Sequence, residues 1–333
     1  MSPPAARANV GLDIGGTKVL AVALGPAGDV VAEARIPTAG AGAGFLDDVV
    51  ALVGQVAGDG PGGPEAVASL GVGVPGIVDA AGNLLVAPNL PGLVAADLGG
   101  QLARRLPATS VWIGNDATCA GWAEHRLGAG RGCDDVLTVT LGTGIGGGIV
   151  ASGRLVQGAN RFAGEIGHMV VDPGGDPCPC GRRGCWERVA SGSGLGRLGR
   201  RRAAAGRAPA LVALTGGDVD AISGEHVIAA ATGGDGDATE LMGEYSWWLA
   251  VGLANLANIL DPGLVVVAGG LSAAADLFLD STREAFATMV EGHHLRKGLE
   301  LRAALLGEHG GAIGAGLFAA ELAATVRASR AAP

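Results

Sequence analysis

The chain has 333 residues, 48% hydrophobic but only 3% aromatic, enough for two compact domains with cores of Ala, Val, Leu and Ile. A formal net charge of −9 argues against a nucleic-acid surface, and 61 glycines without a collagen period argue against a fibrous chain. Five cysteines, three of them between Cys178 and Cys185, exclude a secreted disulfide framework and point to a metal site in a reducing compartment.

Met1–Ala8 is short, rich in Pro and Ala, and runs straight into a strand, so no secretory leader is read and a cytoplasmic protein is expected. Val10–Ile14, Val19–Leu24 and Val30–Ile36 read as strands joined by turns at Gly15–Lys18 and Gly25–Asp29, an antiparallel meander. Gly44–Ala57 carries Phe45, Val49, Leu52, Val53 and Val56 at helical spacing, and Gly58–Gly63 reads as a flexible surface loop. A buried strand follows at Leu70–Val74, then a helix at Leu98–Leu106, a strand at Val111–Gly114 and a helix at Asp116–Leu127. The opening pattern then returns, with strands at Val136–Leu141, Ile149–Ala151 and Arg154–Val156 around a glycine-rich turn at Gly142–Gly148. A repeated meander followed by αβ elements predicts two similar lobes, and the cleft between lobes is where small molecules bind. The five arginines between Arg197 and Arg207 read as a solvated helix face. Trp247–Leu260 is uncharged, but Asp261-Pro262-Gly263 ends it after about 14 residues, too short for a membrane span. A buried helix feeding a core strand at Leu264–Ala268 is expected there instead.

Three features carry chemistry. In Asp13-Ile14-Gly15-Gly16-Thr17-Lys18 the glycines let backbone N–H groups approach an anion, while Thr17 adds a hydroxyl and Lys18 a charge. Asp13, at a strand end, is placed to hold a hydrated Mg²⁺ or orient a phosphate. This is no Walker A loop, because the lysine spacing differs and a strand follows. Gly142-Thr143-Gly144-Ile145-Gly146-Gly147 contains Gly-x-Gly-x-x-Gly, but a dinucleotide fingerprint needs a helix next and here strand residues follow. It reads as a second phosphate-cradling hairpin. His168 with Cys178, Cys180 and Cys185 offers one imidazole and three thiolates, the closed tetrahedral set of a structural Zn²⁺. Cys119 and Cys133 read as ordinary cysteines. Around that knot, Glu165, Glu187, Asn115 and Asp116 suit the hydroxyls of a sugar, and one carboxylate could act as base in phosphoryl transfer. Taken alone, Asp116 at a strand-to-helix junction also suits a helix N-cap.

These motifs, in this order, together with Gly73-Val74-Pro75-Gly76, Pro88-Asn89-Leu90-Pro91-Gly92, Asn115-Asp116-Ala117 and Gly164-Glu165-Ile166-Gly167-His168, resemble the ROK sugar kinases, and among them the bacterial glucokinases. The resemblance covers nearly the whole chain. It implies an actin-like, ribonuclease-H-like α/β fold of two lobes with ATP and sugar between them. The lobes would be residues 1–115, joined by a returning C-terminal helix near 310–330, and residues 116–309, which carry the zinc. Asp116 would be the general base; Asn89, Asn115, Glu165, His168 and Glu187 would bind sugar hydroxyls. Asp13, Gly15, Gly16, Thr17, Lys18, Gly142, Thr143 and Gly144 would hold phosphates, with Gly269 and Gly270 near adenosine. ATP, Mg²⁺ and structural Zn²⁺ are thus the implied cofactors, and a homodimer or homotetramer the implied assembly, with neither nucleic acid nor membrane as partner. Leu93, where such glucokinases often carry Trp, and Thr118, where a second Asn is common, leave N-acetylmannosamine, mannose, fructose or N-acetylglucosamine as alternative substrates. A sugar-responsive repressor is the other reading the family offers, but the first strand begins near Val10, leaving no room for a preceding DNA-binding unit.

Overall fold

The computed structural model describes residues 7–38, 44–58, 66–94 and 97–331. Strands β1 (Ala8–Ile14), β2 (Lys18–Leu24) and β3 (Val30–Pro37) form the opening meander, followed by helix α1 (Phe45–Ala57). Beyond Gly58, the loop expected at Gly58–Gly63 lies outside the described residues. Next come β4 (Val67–Val74), a small hairpin of β5 (Ile77–Val78) and β6 (Leu84–Val86), α2 (Leu98–Arg105), β7 (Ser110–Asn115) and α3 (Asp116–Leu127). The second half contains β8 (Val136–Leu141), β9 (Ile145–Ala151), β10 (Arg154–Leu155), α4 (Glu187–Ala190), α5 (Gly192–Ala204), α6 (Pro209–Leu214), α7 (Gly224–Thr232) and α8 (Gly236–Leu260). It closes with β11 (Leu264–Ala268), α9 (Leu279–Met289), β12 (Glu300–Ala303) and α10 (Gly310–Ala331).

The two main sheets repeat one topology. Their strand orders are β3-β2-β1-β4-β7 and β10-β9-β8-β11-β12. In each, the first three strands in sequence pair antiparallel and the remaining two add in parallel. The central parallel strand of the second sheet is apolar throughout, as a strand covered on both faces requires: β11 is Leu264-Val-Val-Val-Ala268 and wholly buried, whereas the edge strand β12 carries Glu300 and Arg302. This is the mixed α/β architecture of the actin-like fold.

Small residues let helices sit on backbone. At Gly11 in β1 a Cβ would lie 1.9 Å from the carbonyl oxygen of Ala312, and at Gly71 in β4 one would lie 1.8 Å from that of Ala315. Helix α10 therefore rests directly on the first sheet. It is long and apolar enough to cross a membrane by length and composition, but Ala312, Ala315 and Ala319 are buried against protein. Trp247–Leu260 forms the end of α8, whose Leu249, Leu253 and Ala257 are fully buried in the second core.

Two local expectations need correction. The second glycine turn is shorter than Gly142–Gly148, because β9 begins at Ile145 and Gly146–Gly148 are strand residues. Gly146 and Gly148 are glycine because α3 packs on them: a Cβ at Gly146 would lie 2.5 Å from Ala117 Cβ, and one at Gly148 2.7 Å from Gly121 Cα, while one at Gly147 would meet Ile166 Cδ1 at 2.6 Å. The arginine run is only in part the expected solvated face: Arg201 and Arg207 are exposed, but Arg197 and Arg202 are not. Arg202 reaches Glu240 at 2.9 Å and Arg207 reaches Asp237 at 3.2 Å, binding α5 and its exit to α8, while Arg197 turns inward with 15% of its side chain exposed.

Candidate active site

The parallel strands of both sheets point toward a cleft of about 510 Å³. The first half contributes Asp13, Gly15, Gly16, Asn89, Asn115 and Asp116, and the second contributes Gly142, Thr143, Gly144, Glu165, His168, Glu187 and Gly269. Residues far apart in sequence thus share one cavity. Thr17, Lys18 and Gly270 do not line it: Lys18 is half exposed and pairs with Glu308, and Gly270 borders a neighbouring pocket.

Asp13 ends β1, and burial pushes its carboxyl up to about 7; Asp116 pushes the same way and Lys18 opposes. Asp116 is not the N-cap of α3. Asn115 caps, its Oδ1 accepting from the Thr118 amide at 2.9 Å while its Nδ2 donates to the Gly76 carbonyl at 3.1 Å. Asp116 is the first helical residue, with its Oδ1 accepting from the Ala117 amide at 2.8 Å. Burial raises its pKa, and that backbone N–H restrains the rise. Burial also raises Glu165, with Asp116 and Glu187 adding to it and His168 opposing. Burial thus raises Asp13, Asp116 and Glu165 alike above the ordinary carboxylate range, the kind of perturbation that clusters at functional sites.

The two glycine turns lie directly against polar side chains of the cleft. A Cβ at Gly16 would come within 3.3 Å of Asn89 Cβ, and one at Gly144 within 2.8 Å of Glu187 Oε2. Replacing either glycine would crowd the residue opposite it.

Behind Glu187 lie His168, Cys178, Cys180 and Cys185, whose ligand atoms are all within 4.8 Å of one another. Cys180 and Cys185 sulfurs are 3.5 Å apart, and Cys178 Sγ is 3.7 Å from His168 Nδ1. A tetrahedral Zn²⁺ with bonds of about 2.0–2.3 Å spaces its ligands by roughly 3.5–3.8 Å, so this donor set fits the ion. Folding of the loop explains the convergence: the Cys178 amide donates to Arg182 O at 2.7 Å and Val170 bridges Cys185. At Gly184, with φ 67°, a Cβ would overlap the Asp172 carbonyl oxygen at 1.5 Å. The His168 ring spans both environments, Nδ1 facing the thiols and Nε2 lying 4.0 Å from Glu165 Oε2 on the cleft side.

The ROK family sequence profile matches residues 9–322. The chain belongs to the ROK family. Among ROK relatives, the glucokinase of Streptomyces coelicolor is 35% identical over 315 residues, 94% of this chain and 97% of that protein. A ROK family glucokinase from Streptomyces griseus, solved in complex with glucose and AMPPNP, superposes with TM-score 0.80 at 37% identity, covering 94% of this chain and 99% of that one. ROK hexokinase from Thermus thermophilus gives TM-score 0.79 at 31% identity over 96% and 99% of the two chains.

Two departures from the ROK glucokinase motifs fall in different places. Leu93 is 4% exposed and belongs to the first core, so its side chain is spent on packing. Thr118 lies in the wall of a small recess beside Asn115, together with Gln157 and Arg161. Sequence reading missed the second pocket of this ROK chain, about 700 Å³, whose walls include Gly142 and Thr143. Ser193, Arg197, Ser223, Glu225 and Leu271 also line it. The legible signal was Ser191-Gly192-Ser193-Gly194-Leu195-Gly196, a small-residue helix start: a Cβ at Gly196 would lie 3.0 Å from the Gly224 backbone.

Proposed function

We propose that this chain is an ATP-dependent hexose kinase, a glucokinase that converts D-glucose to glucose 6-phosphate. The observation that carries the reading is the meeting of Asp116, Asn89, Glu165, His168 and Glu187 with two glycine turns in one cleft. The named glucokinase relatives and the glucose and AMPPNP complex of the Streptomyces griseus enzyme support glucose and ATP as substrates.

In this mechanism the sugar lies against Asn89, Glu165, His168 and Glu187, with its 6-hydroxyl at Asp116. The Asp116 carboxylate takes the hydroxyl proton as the sugar oxygen bonds to the γ-phosphorus and the bond to ADP breaks. Burial keeps Asp116 a stronger base than a free carboxylate. The Gly15-Gly16 and Gly142–Gly144 backbones cradle the phosphates, Thr17 and Lys18 approach from the rim, and Gly269-Gly270 border the adenosine. Asp13 would hold Mg²⁺, which neutralises phosphate charge when bound. His168, Cys178, Cys180 and Cys185 would hold Zn²⁺, which would fix the His168 ring and the loop that leads to Glu187. Asn115 acts mainly by fixing the start of α3, since both ends of its amide already bond to backbone.

The proposed lobes are residues 1–115 with the returning α10, and residues 116–309; closing one on the other would exclude water from the phosphoryl group. The reading also makes the protein a cytoplasmic homo-oligomer, dimer or tetramer, which light scattering after size exclusion would test.

The experiment is ADP release with Mg·ATP and a panel of glucose, mannose, fructose, N-acetylmannosamine and N-acetylglucosamine. Glucose is expected to lead by at least about tenfold in kcat/KM, a difference that one or two polar contacts supply. Preference for another member would keep the kinase and replace the sugar, with Thr118 the first residue to exchange. No turnover of any member by zinc-loaded, folded protein would overturn the reading.

A further inference from the structure

The arginine run contains one side chain that the proposed reaction leaves unassigned. Arg197, on α5, inserts beneath α4 instead of meeting solvent. Its Nε and Nη2 donate to the Arg188 carbonyl at 3.1 and 2.8 Å, and Nη2 also donates to the Glu187 carbonyl at 3.2 Å. Helix α4 is only 4 residues long, too short to satisfy its own carbonyls, and the guanidinium supplies donors to those of its first two residues, beside the Ser191 hydroxyl that also donates to Glu187 O at 2.7 Å. Burial pulls the Arg197 pKa down to about 10, which leaves the group charged at neutral pH.

The same guanidinium faces two other parts of the site. Its Nε lies 3.9 Å from Asp176 Oδ2 in the cysteine-bearing loop, where Arg201 also pairs with Asp176. Its other flank forms part of the wall of the second pocket. At the start of α5, the Gly192 amide donates to the Gly142 carbonyl at 2.8 Å. The helix that carries Arg197 is thus bonded to the second glycine turn at one end and to the Glu187 backbone one turn later.

We propose that Arg197 is a positioning residue for sugar binding, setting the place of Glu187 and the cysteine loop through its bonds to the Glu187 and Arg188 carbonyls and to Asp176. The proposal rests on Glu187 being a sugar ligand. A planar fork is what this role requires: two donors reach carbonyls on successive residues, which a lysine ammonium cannot reproduce in the same geometry. Because Glu187 Oε2 faces Gly144 so closely, with a Cβ there only 2.8 Å away, a small shift of α4 would alter the space left for sugar.

The test compares Arg197→Met and Arg197→Lys with the wild type in three readouts. These are KM and kcat for glucose, KM for ATP, and the rate of zinc loss to a chelator followed by a colorimetric dye. The Met variant is expected to raise glucose KM about tenfold with kcat within about threefold, as loss of ground-state positioning predicts. It should leave ATP KM within about twofold and speed zinc loss about tenfold, the scale of an outer-shell substitution. Lys should fall between the two. A glucose KM within twofold of wild type in folded Arg197→Met would overturn the proposal. So would a rise confined to ATP KM, which would make Arg197 a nucleotide contact only. Arg197→Gln replaces Met in each comparison if the latter does not fold. If the wild type turns over no hexose, the function fails instead, and zinc loss alone decides whether Arg197 positions the loop.

Discussion

The two sheets share strand order and direction, yet they spend their glycines and their bulk differently. In the first sheet Gly11 and Gly71 open the surface so that the backbone of α10 lies on it, and the core beside them is built from Val, Leu and Ile. In the second, glycines 146 and 148 line β9 where α3 crosses, while the opposite side packs Trp186, Tyr245, Phe278 and Phe286, all essentially buried. The insertions differ as well. The first half adds a short hairpin and α2 between β4 and β7, whereas the second adds the cysteine loop and α4 to α8 between β10 and β11. One frame therefore serves two purposes: the first half presents Asp13 near the end of β1 and Asp116 at the start of α3, and the second carries Glu165, Glu187 and the cluster of His168 with three cysteines on what is inserted into it. Sheet topology fixes where a cleft lies; insertions decide what it holds.

The largest expected effect breaks the first half. Gly71→Ala forces a methyl into the Ala315 carbonyl oxygen, 1.8 Å from its ideal position, and should destabilise the protein by about 3 kcal/mol or more. Urea unfolding measures it, and a change under 1 kcal/mol would mean that α10 moves away freely. The second effect belongs to the other half. Removing zinc with a strong chelator should lower stability and activity together, with loss of the near-ultraviolet circular dichroism of the buried Trp186. Full activity in metal-free protein would separate the cysteine knot from the cleft.

The last effect depends on pH and concerns Asp13. Its pKa is raised in the fold from 3.8 to about 7, so the folded state holds the proton more tightly than the unfolded chain. Its contribution to stability is therefore most favourable below pH 4 and declines as pH rises toward 7. Asp13→Asn removes that decline. Without Mg²⁺ or ATP, the variant should be no more stable than wild type at pH 4 and should gain on it as pH rises, by up to about 4 kcal/mol at pH 8. Equal stability at both values would place Asp13 in a better solvated setting.

Much of this frame is legible in sequence because strands alternate or run apolar between glycine turns, and the meander beginning near Val10 recurs near Val136. The metal cluster was legible too, since three cysteines within one loop are brought together by local chain reversal alone. Other features depend on contacts between distant residues. Nothing local in Gly146-Gly147-Gly148 distinguishes a turn from a strand pressed by α3. Arg197 cannot be told from the other arginines of its run until α4 is seen above it, and nothing local shows that Asn115 Nδ2 reaches the distant Gly76 carbonyl. The second pocket forms where α5 and α7 meet, and its walls mix glycines and serines with Arg197, Arg200 and Glu225, a set that carries no hydrophobic period.

The account turns on Asp116, which the first half places where both halves meet. The direct measurement is glucose turnover and glucose binding by Asp116→Asn beside the wild type. The account predicts kcat lower by about 10²–10⁴ with glucose affinity within a few-fold, because only the proton acceptor is removed. Near-normal turnover in that variant would contradict it and remove Asp116 from the mechanism.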